Sequence, residues 1–409
     1  DSGITAHPDL DANVLPGYDF IAESAFSNDG NGRDSDPTDA GNWTVDNQCF
    51  TGSKATASDW HGTHVAGTIA AIANNNEGIA GVAPEAKIVP VRVLGACGGF
   101  DSDITDGIIW AAGGSVRGVP ANQNPAQVIN MSIGSEGTCT TPYRQAIAQA
   151  NKRGSIVVVA AGNNNFDASK SSPGNCEDVI NVGATDKNGK RSYFSNYGSR
   201  VDVSAPGGDR RYWGGGILST LNAGKTAPGK ADYAEYQGTS MAAPHVAGIV
   251  ALMKAVDPKL TYAQAKKALQ STSQGVECDQ PACGSGIVNA ARAVQQVRSN
   301  REAAEAAAAE AARKKAEEEA ARKKAAEEAA RKKAEEDAKR HQAPAPKVTP
   351  APAPKTNRPV TRPSRPVTRP SYPSRPRHGH TPRYRSWYGS SANTYPSSGY
   401  LSFASGNHR

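Results

Sequence analysis

The sequence predicts an α/β protein, a doubly wound and mostly parallel sheet flanked by helices, followed by an isolated charged helix and a disordered Pro/Arg-rich tail. Three observations carry this. Over residues 1–300, apolar runs ending in Gly, Ser or Asn alternate with helical patterns. Residues 301–340 are almost wholly Ala, Glu, Lys and Arg. Residues 341–409 hold no acidic group at all.

The strands come from "KIVPVRVL", "QVINMSIG", "SIVVVAAGN" and "DVINVGAT". These runs are apolar without alternation, which suits strands covered on both faces. The helices come from "HGTHVAGTIAAIA", "DITDGIIWAA", "YRQAIAQANKRG" and "MAAPHVAGIVALMKAV". In the first of these, Val65, Ile69 and Ile72 fall at helical spacing. A sheet of this kind places its ligands at the carboxyl ends of the strands.

The second region is built from strong helix formers. Its triplet "RKK" recurs at 313, 322 and 331, so it alternates faces, and no apolar stripe marks a coiled coil. A solvated helical spacer is expected over 299–340, held by Glu–Lys pairs four apart and reaching about 60 Å. In the third region "RPVTRPS" at 358–364 repeats at 365–371, and aromatics follow among Ser and Gly. Extended, hydrated chain is expected there.

Charge divides the same way. Residues 1–300 carry 23 Lys+Arg against 28 Asp+Glu, residues 301–340 carry 12 against 11, and residues 341–409 carry 11 against none. The net values of −5, +1 and +11 sum to the chain's +7. The basic character thus belongs to the tail, which is expected to seek an anionic polymer such as nucleic acid, anionic lipid or cell-wall material. The six cysteines all precede residue 300 and form no C-x2-C pair, which disfavours zinc and favours disulfides in an oxidising compartment. No run reaches the roughly 18–20 apolar residues of a membrane-spanning helix.

Four short motifs carry the chemistry. "DSGI" opens the chain at Asp1. "HGTHVAG" brings His61 and His64 to the head of a small-residue helix, without the glutamate of a zinc-protease motif. "VVVAAGNNN" ends a buried strand just before Asn163, whose amide can donate a hydrogen bond without bringing charge. "GTSMAAPHVAG" sets Ser240 at a helix start, where unpaired N–H donors and the helix dipole favour an anion.

Together with "NMSIG", these motifs resemble, in order, those of the subtilisin-like serine proteases (the subtilases) over about residues 1–298. The cysteine-bearing pattern resembles their secreted bacterial members. The resemblance implies a subtilisin-like fold and peptide hydrolysis through an acyl-enzyme. Ser240 is then the nucleophile, His61 its base, and Asp1 the carboxylate that orients His61, while Asn163 and the Ser240 N–H hold the oxyanion. His64 matches a structural position. In the family the triad aspartate ends a central strand preceded by further chain and a cleaved prosegment, so the sequence reads as part of a longer precursor.

Substrate is expected to lie extended along Ser132, Ile133 and Gly134. The pocket segment "DASKSSPGNC" is small and polar apart from Lys170, with Asp167 nearby, so cleavage after medium-to-large apolar residues is expected, with broad specificity. The resemblance also implies a structural calcium ion, with Asp9 and Asn75 supplying side-chain oxygens and Ala73, Glu77 and Ile79 carbonyls. Six cysteines allow 15 pairings. The expected set is Cys49–Cys97, Cys139–Cys176 and Cys278–Cys283. A monomer acting on polypeptides is expected, retained at a cell surface through residues 341–409. The competing readings are a non-catalytic surface-binding protein on the same scaffold, which the intact Asp1, His61, Asn163 and Ser240 oppose, and a processing protease dedicated to one partner.

Overall fold

Four parallel strands, β3 (Val128–Met131), β5 (Ile156–Ala160), β7 (Ile180–Thr185) and β8 (Val203–Pro206), form the central sheet in that order. The computed structural model describes residues 1–341; the tail expected over 341–409 lies, but for His341, outside the described residues. Residues 1–308 make one compact unit, and the described residues from 309 onward belong to a second.

The apolar runs follow from two-sided burial. In β5, Ile156, Val158 and Ala160 face one core, while Val157 and Val159 face the other. The first core is closed by α5 (Thr239–Val256), α6 (Tyr262–Thr272) and the start of α7 (Ala290–His341), the last through Ala293 and Val297. The second is closed by α3 (Asp101–Ala111) and α4 (Thr141–Lys152). By length and composition α5 could cross a membrane, but 67% of it is buried within this fold.

The run at 87–94 forms a strand only over β2 (Val91–Arg92), which joins β1 (Tyr18–Asp19) in parallel, with a single parallel bridge from Ile88 to Val14 before it. Pro90 has no N–H to donate, although its carbonyl accepts from Tyr18 N at 3.1 Å. Beyond this run, Val93 N and Leu94 N both donate to the Asp1 carbonyl, at 2.8 and 3.1 Å. A cavity of about 950 Å³ separates this strand pair from β3, lined by Val89, Val91, Val93, Val128 and Met131.

Besides the central strand β8, the two-residue β1 and the shortest helical turns, three features had no counterpart in the sequence reading. One is the antiparallel hairpin of β9 (Ile217–Asn222) and β10 (Ala231–Tyr236). Another is α6, although its capping box of Thr261 and Gln264 is a readable signal. The third is the pairing of two-residue strands β4 (Ser135–Glu136) and β6 (Ser171–Ser172). The short α1 (Ser24–Ser27) and α2 (His61–Ala70) complete the set.

The disulfides are Cys49–Cys97, Cys139–Cys176 and Cys278–Cys283, with Cα separations of 5.3, 5.1 and 6.1 Å. In the second unit the described residues are helical and exposed throughout. Pairs four apart decorate the helix, among them Glu310–Lys314 at 2.8 Å and Glu328–Lys332 at 3.0 Å. No apolar contact is asked of this segment, which explains its composition.

Candidate active site

Asp1 is fixed from both sides. Its carbonyl is held by the two amides after β2, and its Oδ1 accepts Ser2 N at 2.8 Å. The same Oδ1 accepts the Nδ1–H of His61 at 2.8 Å. That bond leaves Nε2 as the basic nitrogen of a neutral imidazole.

His61 opens α2, and this helix presses directly onto the "DSG" backbone. A Cβ on Gly62 would stand 2.1 Å from the Gly3 carbonyl oxygen, so only glycine permits the approach. Gly62 N also donates to Ser2 Oγ at 3.0 Å, and Ser2 Oγ donates to Asp39 Oδ2 at 2.6 Å. Asp39 is buried, and burial raises its pKa to about 6. Arg92, fully buried, donates through Nε to the Ser2 carbonyl and pairs with Asp19 and Asp29. The residues behind Asp1 and His61 thus form one connected polar support. Ser2 lies inside the quoted motif, but nothing in the sequence distinguishes Asp39 from other loop acids.

Burial pushes the His61 imidazole below its ordinary pKa, while the carboxylates of Asp59 and Asp39 pull it upward. His64 is different in kind. It is fully buried, Nε2 meets the carbonyls of Ile217 and Ala234 at 3.0 Å each, and its ring stacks on Tyr236 at 4.6 Å. Burial lowers its pKa to about 4. It is a neutral packing element between α2 and the β9–β10 hairpin.

Ser240 is the second residue of α5. Its Oγ donates to the Ser132 carbonyl at 3.2 Å, and Ser132 Oγ donates to the Ser240 carbonyl at 2.8 Å. Among the described residues no hydrogen bond joins Ser240 to His61. Catalytic hydrogen bonds are commonly loose before substrate arrives.

Asn163 and the Ser240 N–H, the expected oxyanion donors, lie near one another. Asn163 Oδ1 accepts from Thr239 N at 2.8 Å and Thr239 Oγ1 at 2.9 Å, which turns the amide so that Nδ2 faces outward. A Cβ built on Gly238 would lie 3.5 Å from Asn163 Nδ2 and 3.6 Å from Ser240 N. Both donors thus stand beside the same residue, Gly238. Thr239, which sets this orientation, was missed in the sequence although it belongs to the motif.

Ser132, Ile133 and Gly134 connect β3 to β4 beside Ser240. Ser132 is buried, and the Ile133 backbone makes no hydrogen bond among the described residues. Ser171 Oγ sits between two glycine-bearing segments, 3.6 Å from a Cβ on Gly134 and 2.8 Å from one on Gly162. The Asp167 carboxylate is turned toward Ser169 N at 2.9 Å, and that bond lowers its pKa. The side chains nearest these two glycines are Ser171 and Asn196, neither of them acidic.

The loop after α2 curls around Asp9, with Asn74 and Asn76 in left-handed conformations. Asp9 is fully buried and makes no ion pair among the described residues. Its oxygens accept from Asn75 Nδ2 at 2.6 Å, Ile79 N at 3.1 Å and Tyr233 OH at 3.2 Å. Among the described residues no three His, Cys, Asp or Glu side chains gather. Contrary to expectation, Asn75 turns its amide nitrogen to Asp9 while its Oδ1 accepts Glu77 N at 3.1 Å, so a cation would require that amide to rotate; the buried carboxylate without a positive partner still suits one.

Comparison with known proteins agrees with the geometry. A family description, the Subtilase family, matches residues 1–319. An extracellular protease of Xanthomonas campestris pv. campestris is 54% identical over 297 residues, covering 72% of this chain and 50% of that protein. An extracellular basic protease of Dichelobacter nodosus is 48% identical, covering 73% and 50%. A solved protease structure from Pseudoalteromonas arctica matches with a TM-score of 0.71 at 52% identity, covering 73% of this chain and 88% of that one. The chain spans about half the length of the curated relatives it matches.

Proposed function

Because the chain belongs to the subtilase family, we propose that it is a secreted serine endopeptidase that hydrolyses peptide bonds through an acyl-enzyme. The observation that carries this is the joint placement of the Asp1–His61 hydrogen bond and the paired donors of Asn163 and Ser240.

The steps follow from the groups present. Asp1 holds His61 in the tautomer whose Nε2 is free, and stabilises the imidazolium that forms. On substrate binding the Ser240 hydroxyl leaves the Ser132 carbonyl and gives its proton to His61 Nε2. Ser240 Oγ attacks the scissile carbonyl. The oxyanion is received by Asn163 Nδ2 and Ser240 N. His61 then protonates the departing amine, and a water molecule activated by the same imidazole releases the acyl group.

Substrate residues before the scissile bond add as a strand along Ser132, Ile133 and Gly134, supported by the unpaired Ile133 backbone. The primary pocket lies between Gly134 and Gly162 with Ser171 at its base. Its neutral floor supports broad cleavage after medium-to-large apolar residues. Asp9 and Asn75, with the carbonyls of Ala73, Glu77 and Ile79, would hold a calcium ion, which supplies positive charge to the buried carboxylate and fixes the loop after α2. Residues 1–298 act as a monomeric catalytic domain, 299–340 as a spacer, and 341–409 as the attachment segment for an anionic surface.

The chain should digest denatured casein, and Ser240→Ala should abolish digestion. Equal digestion by both would overturn the assignment. Deleting 301–409 should leave peptide hydrolysis intact and weaken retention on anionic surfaces at low salt; unchanged retention would remove the attachment role.

A further inference from the structure

Among the described residues six large apolar side chains stand exposed, and four of them gather at one loop. Trp213 is 98% exposed, Tyr212 53%, Leu218 50% and Tyr193 41%. The segment "GGDRRYWGGG", residues 207–216, carries the first two, and Leu218 follows it at the start of β9. A tryptophan held almost entirely in water costs apolar hydration, so a cluster of this kind marks a contact surface.

The loop is stiff. The Asp209 carboxylate is buried and accepts from Arg211 N at 3.1 Å and Arg211 Nη2 at 2.6 Å. Asp209 N donates to the Gly215 carbonyl at 2.7 Å, and Gly215 N to the Tyr212 carbonyl at 3.0 Å. The Arg211 guanidinium lies 3.9 Å above the Tyr193 ring. These bonds order the platform before anything binds it.

The loop is also tied to the catalytic segment. Arg210 N donates to Gln237 Oε1 at 2.6 Å, Gln237 Nε2 donates to Tyr193 OH at 3.0 Å, and Gly238 N donates to the Gly207 carbonyl at 2.8 Å. Gly238 stands beside both Asn163 Nδ2 and Ser240 N, the proposed oxyanion donors. On the other side of Ser240 stands Ser132, at the head of the strand assigned to residues before the scissile bond. On the reading that upstream residues lie along Ser132 to Gly134, the chain beyond the scissile bond is taken to leave on the side of Gln237, toward this loop.

We propose that residues 207–216, with Tyr193 and Leu218, form a surface that binds polypeptide substrate downstream of the scissile bond, stacking it on Trp213 and Tyr212 and favouring acidic residues there. The inference rests on the protease reading. Of the nearby charges, Asp209 is taken by Arg211, Asp186 Oδ1 accepts Asn188 N and Lys190 N within its own turn, and Glu235 Oε2 accepts Gly216 N. Lys187 donates to the Trp213 carbonyl at 3.1 Å, and neither it nor Arg210 makes an ion pair among the described residues. Asp186 and Glu235 keep their negative charge, since backbone amides do not neutralise it; the preference for acidic residues rests on Arg210, which has no ion pair among the described residues and whose backbone N is bonded to Gln237.

The test uses two kinds of substrate with the same apolar residue before the scissile bond. One is a peptidyl p-nitroanilide, which has nothing downstream. The other is an internally quenched peptide carrying four further residues, in acidic and basic versions. Trp213→Ala should lower kcat/KM on the extended acidic peptide about five- to tenfold, chiefly through KM, and leave the p-nitroanilide rate unchanged. Arg210→Glu should shrink the preference for the acidic over the basic version, and that preference should fade with salt. Unaltered cleavage of the extended peptides by both variants, with the p-nitroanilide still cleaved, would overturn the surface alone. Failure of the parent to cleave the p-nitroanilide would overturn the protease reading and this inference with it.

Discussion

The head of α2 and the helix over residues 309–341 are both helical, yet almost every reason for their stability differs. At α2 the residues Gly62, Thr63, His64 and Val65 are buried, and each small side chain is required by a neighbour. Gly62 makes room for the Gly3 carbonyl, and Gly67 for Thr220 and Ser219. Beyond residue 309 every described side chain is exposed, and support comes from propensity and pairs four apart. The contrast shows what positioning a reactive group demands. Local propensity is enough to make a rod, whereas an imidazole set against a carboxylate needs tertiary contact on every side.

Substitutions at the two places should separate accordingly. The largest effect is expected at the proposed oxyanion donors. Asn163→Ala should lower kcat about 10²- to 10³-fold with little change in KM, a magnitude taken from this family and not from the geometry. A loss confined to KM would mean that Asn163 binds substrate without holding the oxyanion.

His64 offers a pH test of the buried side. Its pKa of about 4 in the fold lies below the ordinary 6.5. The unfolded chain therefore takes up a proton that the fold refuses. His64 contributes nothing unfavourable above about pH 6.5, and stability is lost as pH falls from there toward 4, by roughly 3 kcal/mol in all. Melting of the Ser240→Ala protein across this range, compared with a His64→Gln partner, measures the difference. Equal slopes would take His64 out of the account.

Gly62→Ala comes next, at about 1–3 kcal/mol from overpacking, with a larger fractional loss of activity because the Asp1–His61 spacing shifts. Asp39→Asn should move the acid limb of kcat/KM to lower pH, since a carboxylate that favours the imidazolium is gone. A fall in rate with no shift would reduce Asp39 to a structural brace. On the exposed helix, Glu328→Gln should cost only about 0.3–0.5 kcal/mol, read as a small loss of helicity in an isolated 299–341 peptide and no loss of protease activity.

The same contrast explains what could be read from sequence. The buried strands β3, β5 and β7 and helices α2 to α5 announce themselves, because two-sided burial leaves uninterrupted apolar runs and close packing leaves small-residue motifs. The residues expected to carry the chemistry lie in those motifs. The β9–β10 hairpin was not legible: Tyr233, Glu235 and Tyr236 sit at a partly exposed surface and follow no clean alternation. Nor was the role of Asp39, whose placement depends on a contact across the chain with Ser2. Nor does the sequence set Trp213 apart from a core tryptophan. Only the fold shows that it stands in water.

The most direct test of the central claim is covalent labelling with a fluorophosphonate, followed by peptide mapping. A relay of Asp1, His61 and Ser240 predicts a single label on Ser240, lost in His61→Ala and strongly slowed in Asp1→Asn. A label on another hydroxyl, or labelling of Ser240 at an undiminished rate without the imidazole, would contradict it.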